Sequence, residues 1–141
     1  MDLHALLSPH LAGSLADVVS QRPRTVTLQG PAALRPFVAR AAADASTVLA
    51  VTPTAREADE LAADLSVLLG DDAVVVYPAW ETLPHERLSP RSDTVGRRLA
   101  VLRRLAHPGA GAPPVRVVVA PVRSILQPQV AGLAGLTPVE L

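Results

Sequence analysis

The sequence predicts an α/β fold, a mainly parallel sheet with helices on both faces. Three observations predict it. Strand-like and helix-like segments alternate along the chain. Two of the strand candidates, STVLAVTP and VRVVVAP, are almost unbroken apolar runs of the kind that parallel strands show when both faces are covered. The helix candidates carry apolar residues three and four apart.

Leu3, Leu6, Leu7, Leu11, Leu15, Val18 and Val19 recur at helical spacing, with Pro9 and Gly13 breaking the run into two pieces. TVTLQ (25–29) is short and β-branched, which predicts a strand. PAALRPFVARAAAD follows as a helix whose Pro31 suits the first helical position, where a missing N–H costs nothing. Pro36 must then lie in the first turn or kink the helix. STVLAVTP (46–53) predicts a second strand, buried on both faces. TAREADELAADLSVLLG is the clearest helix in the chain. Thr54 and Glu57 have capping-box spacing, Ala58, Leu61, Ala62, Leu65, Leu68 and Leu69 form the stripe, and Gly70 ends it.

AVVVYP (73–78) predicts a third strand, and the proline-rich AWETLPHERLSPRS (79–92) a long irregular loop. The next helix starts with Ser92 as its cap and Asp93 in its first turn, and its stripe is Val95, Leu99, Leu102, Leu105 and Ala106. PGAGAPP (108–114) is a surface connection, VRVVVAP (115–121) a fourth strand, and PVRSILQPQV a short helical piece. TPVEL at the end of the chain has the look of a strand beginning.

At 141 residues and 49% hydrophobic content, one core is expected. Thirteen basic and thirteen acidic residues give zero formal charge, so no overall field draws the chain onto nucleic acid or an anionic membrane. Every basic residue is Arg, and Cys is absent. That removes amine side-chain chemistry, thiolate nucleophiles, disulfides and zinc–thiolate sites. No apolar run reaches the roughly 18 residues that span a bilayer, and MDLHALLSPHLAG lacks the basic start of a signal peptide. A soluble cytoplasmic protein without membrane contact is the expectation.

In an open parallel sheet the ligand crevice lies beyond the carboxyl ends of the strands. Gln29 to Pro31, Thr52 to Thr54, Tyr77 to Ser92 and Ala120 to Val122 would meet there. A strand, then Gly30, then a helix invites comparison with a phosphate loop. Such a loop needs glycines so that backbone N–H groups wrap the phosphates, a Lys on the β- and γ-phosphates and a hydroxyl on Mg²⁺. Here Pro31 removes a donor, Leu34, Phe37 and Val38 fill space, and Lys is missing. The expectation is a tight packing turn.

His4, His10, His85 and His107 have no metal-ligand spacing, so no metal site is expected. Glu57, Asp59, Glu60 and Asp64 read as the wet face of one helix, and no facing acid and base marks a catalytic centre. Arg97, Arg98, Arg103 and Arg104 form the one basic cluster and are candidate phosphate contacts, though without aromatic residues interleaved for base stacking. For the long loop two readings stand side by side. Either Trp80 is buried beneath it with Glu81 and Glu86 paired to Arg87 or Arg91, or the loop is a partner interface.

WETLPHERLSPRSDTVGRRLAVLRRL (80–105) closely resembles a segment of the bacterial transcription-repair coupling factor family. VLAVTPTAREADELAADL and VVVAPVRSILQPQV resemble the same family, in an actinobacterial style. The resemblance covers roughly residues 25–141 and is most specific over 80–93. It implies a P-loop-NTPase-like, helicase-like lobe with a degenerate nucleotide motif, similar to the B subunit of the excision nuclease. Gly30 and Pro31 would then be the vestigial nucleotide turn. With Tyr77 its lone tyrosine, the chain lacks the tyrosine-rich hairpin by which that subunit clamps DNA.

The division implied is an N-terminal helical segment (1–22), the lobe (23–135) and the start of an adaptor domain (136–141), in a truncated coupling factor. By the same resemblance this segment is a scaffold with no catalytic residue and no cofactor. ATP and Mg²⁺ belong to translocase domains elsewhere in such a factor, an ATP-dependent DNA translocase that displaces stalled RNA polymerase and recruits nucleotide excision repair. The partners implied are the remaining domains of the factor, the excision nuclease A subunit through the following domain, and RNA polymerase and DNA only through the whole protein. Trp80, Leu83 and Pro84 are the expected loop anchors, with His85 beside them, and Glu81, Glu86, Arg87 and Arg91 are candidates for interdomain ion pairs. The alternative is a small nucleic-acid-binding module acting through the Arg97 to Arg104 face, and a third reading is an ATPase with an unusual site.

Overall fold

The structure is a computed structural model that describes residues 25–82, 89–108, 113–129 and 132. Three strands, β1 (Val48–Thr52), β2 (Val74–Val76) and β3 (Val117–Pro121), form one parallel sheet in the order β1-β3-β2. The helices are α1 (Arg35–Ala43), α2 (Ala55–Leu69), α3 (Ser92–Ala106) and α4 (Val122–Leu126). The α/β class and parallel sense are as the alternation predicts.

Side chains alternate across a strand, so the sheet has two different faces. Val117 and Val119 of β3, fully buried, join Val74 with Ala58, Ala62 and Leu65 of α2 and Ala43 of α1. Val118 and Ala120 point the other way, onto Tyr77, Val115 and Val101 of α3. β3 is central and buried at every position, whereas β1 lies at the edge, where Leu49 and Val51 are about half exposed. The expectation of a β1 buried on both faces therefore fails: its apolar composition matches a central strand, but α3 covers the middle of the sheet and leaves the β1 side of that face open.

Residues 25–29 correct a second expectation. They are exposed and form no strand among the described residues. A single extended segment has no ladder to join unless a neighbouring edge comes within hydrogen-bonding distance, and β-branched composition does not supply one. The following helix begins with a 3₁₀ turn over Ala32–Leu34, so Pro36 falls in the first turn of α1, where it is buried without breaking a bond.

On α2 the cap is as read: the Glu57 N–H donates to Thr54 Oγ1 at 3.2 Å, and Gly70 closes the helix at φ 88°. The Glu57 carboxylate accepts from the Thr54 hydroxyl at 3.3 Å. On α3 Ser92 is already helical and Arg91 holds the cap position without a side-chain cap bond. Residues 1–22 and 136–141 lie outside the described residues.

Candidate functional site

The turn at Gly30 and Pro31 borders a cavity of about 620 Å³ between residues 28–31, α1 and β1. Its walls are mostly apolar, Leu28, Leu34, Val38 and Leu61 among them. The charged wall residue is Arg35, whose Nη1 donates to Glu57 Oε2 at 3.3 Å. The Leu34 N–H donates to the Pro31 carbonyl at 3.0 Å, and the Thr52 hydroxyl to the Thr54 carbonyl at 2.9 Å. The Leu34 N–H and the Thr52 hydroxyl are thus both engaged within the protein. Gly30 does not use the left-handed region. A Cβ there would come within 3.2 Å of Leu34 Cδ1, so the glycine makes room for a packed side chain.

A second centre lies at the carboxyl end of β2. Tyr77, its N–H donating to the Val119 carbonyl at 2.8 Å, starts the long loop. Arg98 rises from α3 with 1% of its surface exposed, its Cζ 4.2 Å from the centroids of both the Tyr77 and Trp80 rings. Its Nη1 donates to the Pro78 carbonyl at 2.6 Å, while its Nε and Nη2 and the Tyr77 hydroxyl have no hydrogen-bond partner among the described residues. Burial pushes the Arg98 guanidinium down and the Tyr77 phenol up, the second opposed by the positive charge beside it. A guanidinium between two rings gains cation–π attraction that grows as water is excluded. The arrangement ties α3 to the first four residues of the loop.

Two further contacts fix that loop. The Trp80 N–H donates to Gln127 Oε1 at 2.7 Å, and Gln127 Nε2 donates to the Trp80 carbonyl at 3.2 Å. The Thr94 hydroxyl donates to the Glu81 carboxylate. That bond, then the main-chain N–H of Glu81, then the Arg91 N–H and charge hold the Glu81 carboxyl below the usual range against a small desolvation cost. Glu81 sits at the amino end of α3, where the helix dipole favours negative charge.

Among the sequence candidates, Trp80 is half-buried, Glu81 and Arg91 are exposed, and none of the four ion pairs among the described residues joins them. Leu83, Pro84, His85, Glu86 and Arg87 lie outside the described residues. The Arg cluster divides. Arg97 and Arg103 are exposed, Arg98 is buried against the rings, and Arg104 Nη2 donates to the carbonyls of Asp72 and, at 2.9 Å, Pro113. Arg98 as a phosphate contact is therefore corrected: its guanidinium faces the protein interior. Reading by sequence missed Gln127 and Thr94, whose partners lie 47 and 13 residues away. Among the described residues no group of three or more His, Asp or Glu is placed to hold a metal ion, and no helix is long and apolar enough to cross a membrane.

A parallel α/β lobe whose turn before α1 is packed with apolar side chains defines the class. Comparison with known proteins then gives the particular relatives. The chain is 54% identical over 122 residues, 85% of its length, to the transcription-repair-coupling factors of Mycobacterium bovis and Mycobacterium tuberculosis. It is 34% identical over 77 residues, 55% of its length, to that of Haemophilus influenzae. It spans about a tenth of the mycobacterial proteins and 6% of the Haemophilus one. No family model matches. The chain is a relative of one segment of the transcription-repair-coupling factors.

Proposed function

We propose that this chain is a non-catalytic, helicase-like lobe of a transcription-repair coupling factor. Its role is to support the neighbouring domain that engages the excision nuclease A subunit. ATP hydrolysis, DNA translocation and contact with RNA polymerase belong, on this reading, to the rest of such a factor. The observation that carries the reading is the turn at Gly30 and Pro31. It offers an apolar wall, a proline ring where a donor would be needed, and one arginine already paired with Glu57. A triphosphate with Mg²⁺ requires several convergent donors and a free cation. Equilibrium dialysis with labelled ATP and Mg²⁺ tests it: no saturable binding is expected, and micromolar binding would overturn it.

The nucleic-acid reading keeps Arg97 and Arg103, both exposed and without an ion pair among the described residues. Two phosphate contacts give a salt slope of only about −2 in log–log form, too weak for binding at physiological salt. A mobility-shift titration from low to physiological salt is expected to show no retained complex at the upper end.

A further inference from the structure

We propose that Arg98 anchors a binding site for a small carboxylate, held in the plane of its guanidinium at the carboxyl end of the sheet. A guanidinium offers parallel N–H donors to two oxygens either across its two terminal nitrogens or side-on through Nε and Nη2. In Arg98 the first way is closed, because Nη1 donates to the Pro78 carbonyl at 2.6 Å. The side-on fork is left: Nε and Nη2 are both buried and have no hydrogen-bond partner among the described residues. The Tyr77 and Trp80 rings, each with its centroid 4.2 Å from Cζ, cover the guanidinium, so a ligand meets it edge-on. The Tyr77 hydroxyl, also buried and without a hydrogen-bond partner among the described residues, is a third donor on one of these rings.

The chemistry selects a carboxylate. Arg98 is 1% exposed, and none of the four ion pairs among the described residues includes it. A buried cation without a counter-charge is costly, and two rings and one carbonyl offset only part of that cost. A carboxylate sets one negative charge against one positive charge, and its two oxygens match the fork in a single plane. A phosphate dianion would bury a surplus charge, and chloride has a single centre where the fork has two donors. The one acid among the described loop residues, Glu81, is already taken by the Thr94 hydroxyl. Entry passes the half-buried Trp80, the chain's one tryptophan, so its indole reports binding.

Acetate titrated into the full 141-residue chain at constant ionic strength, replacing chloride, tests this by Trp80 fluorescence and by the Arg98 Nε–H resonance. A saturable change in both is expected, with a dissociation constant of about 10 mM or tighter. Inorganic phosphate should bind about tenfold more weakly. Arg98→Met should abolish the response. Tyr77→Phe, which keeps the ring and removes only the hydroxyl, should weaken binding by about threefold to tenfold, and it keeps the test sound if the methionine variant unfolds. Arg103→Gln, at an exposed cation on the same helix, should leave binding unchanged. Glu86→Gln separates a carboxylate of the chain itself from one in solution, and it too should leave acetate binding as it is. No saturable change, which would mean that water completes the fork, overturns the proposal. So does a response that phosphate gives equally, one that neither Arg98→Met nor Tyr77→Phe alters, one lost equally with Arg103→Gln, or one that appears only in Glu86→Gln.

Discussion

Gln127 holds the main chain of Trp80 from both sides, accepting its N–H at 2.7 Å and donating to its carbonyl at 3.2 Å. One side chain thus does for the loop what a neighbouring strand does for a β-residue, and it couples the end of α4 to the start of the loop. Gln127→Ala leaves a part-buried N–H and C=O without partners. We expect a loss of about 1–2 kcal/mol in urea denaturation and a red shift of Trp80 fluorescence as water reaches the indole. Unchanged stability and emission would show that the pair is incidental.

Arg98 is the better test of what the buried cation contributes. Arg98→Ala removes the slab between Tyr77 and Trp80 and opens a void, at a cost of about 3 kcal/mol. Arg98→Met keeps an apolar stem in that space and, with the Pro78 bond, removes two donors that have no acceptor among the described residues, so its loss should be under about 1.5 kcal/mol. Trp80→Ala falls between them at about 2 kcal/mol, below the cost of a fully buried indole, because its ring is half-buried. Thermal or urea melts of the three variants check the order. A methionine variant as damaged as the alanine one would mean that charge, and not filled space, is what the rings require.

Glu81 makes acid stability readable. Its carboxyl is held below the usual range, chiefly by the Thr94 hydroxyl. A carboxyl with a depressed folded-state pKa contributes stability that is present above its unfolded value, about 4.3, and disappears as pH falls through the lower folded value. Glu81→Gln should therefore lower the urea midpoint most at neutral pH, with the gap to the unaltered chain closing as the solution is acidified below about pH 4. A gap that stays constant from neutral to acid pH would remove the carboxylate from the account of α3.

What the sequence made legible is what depends on near neighbours. Thr54, Glu57 and Gly70 act within one helix, and their roles follow from spacing alone. Pro36 had two permitted outcomes and took the first turn. The strand expected at 25–29 and the double-sided burial expected of β1 depend instead on which segment lies alongside, and composition is silent about that. Arg98 shows the same boundary. It sits among Arg97, Arg103 and Arg104 with nothing local to distinguish it, yet one turn of α3 aims it at two rings some twenty residues earlier in the chain.

Two glycines with open space around them should respond to alanine in opposite directions. A Cβ at Gly70 or at Gly96 would meet nothing within 4 Å, so sterics decide neither case. Gly70 closes α2 at φ 88° and ψ 150°, a conformation nearly closed to any residue with a side chain. Gly70→Ala must strain the turn or refold it, and a loss of about 1–3 kcal/mol is expected. Gly96 lies inside α3, where the backbone is ordinary helix and glycine chiefly adds freedom to the unfolded chain. Gly96→Ala should raise stability by about 0.5–1 kcal/mol. Urea midpoints for the two variants, measured side by side, carry the test. If Gly96→Ala destabilises the lobe, something packs on that exposed turn of α3 in the folded protein, and the helix face beside Arg97 is not open to solvent.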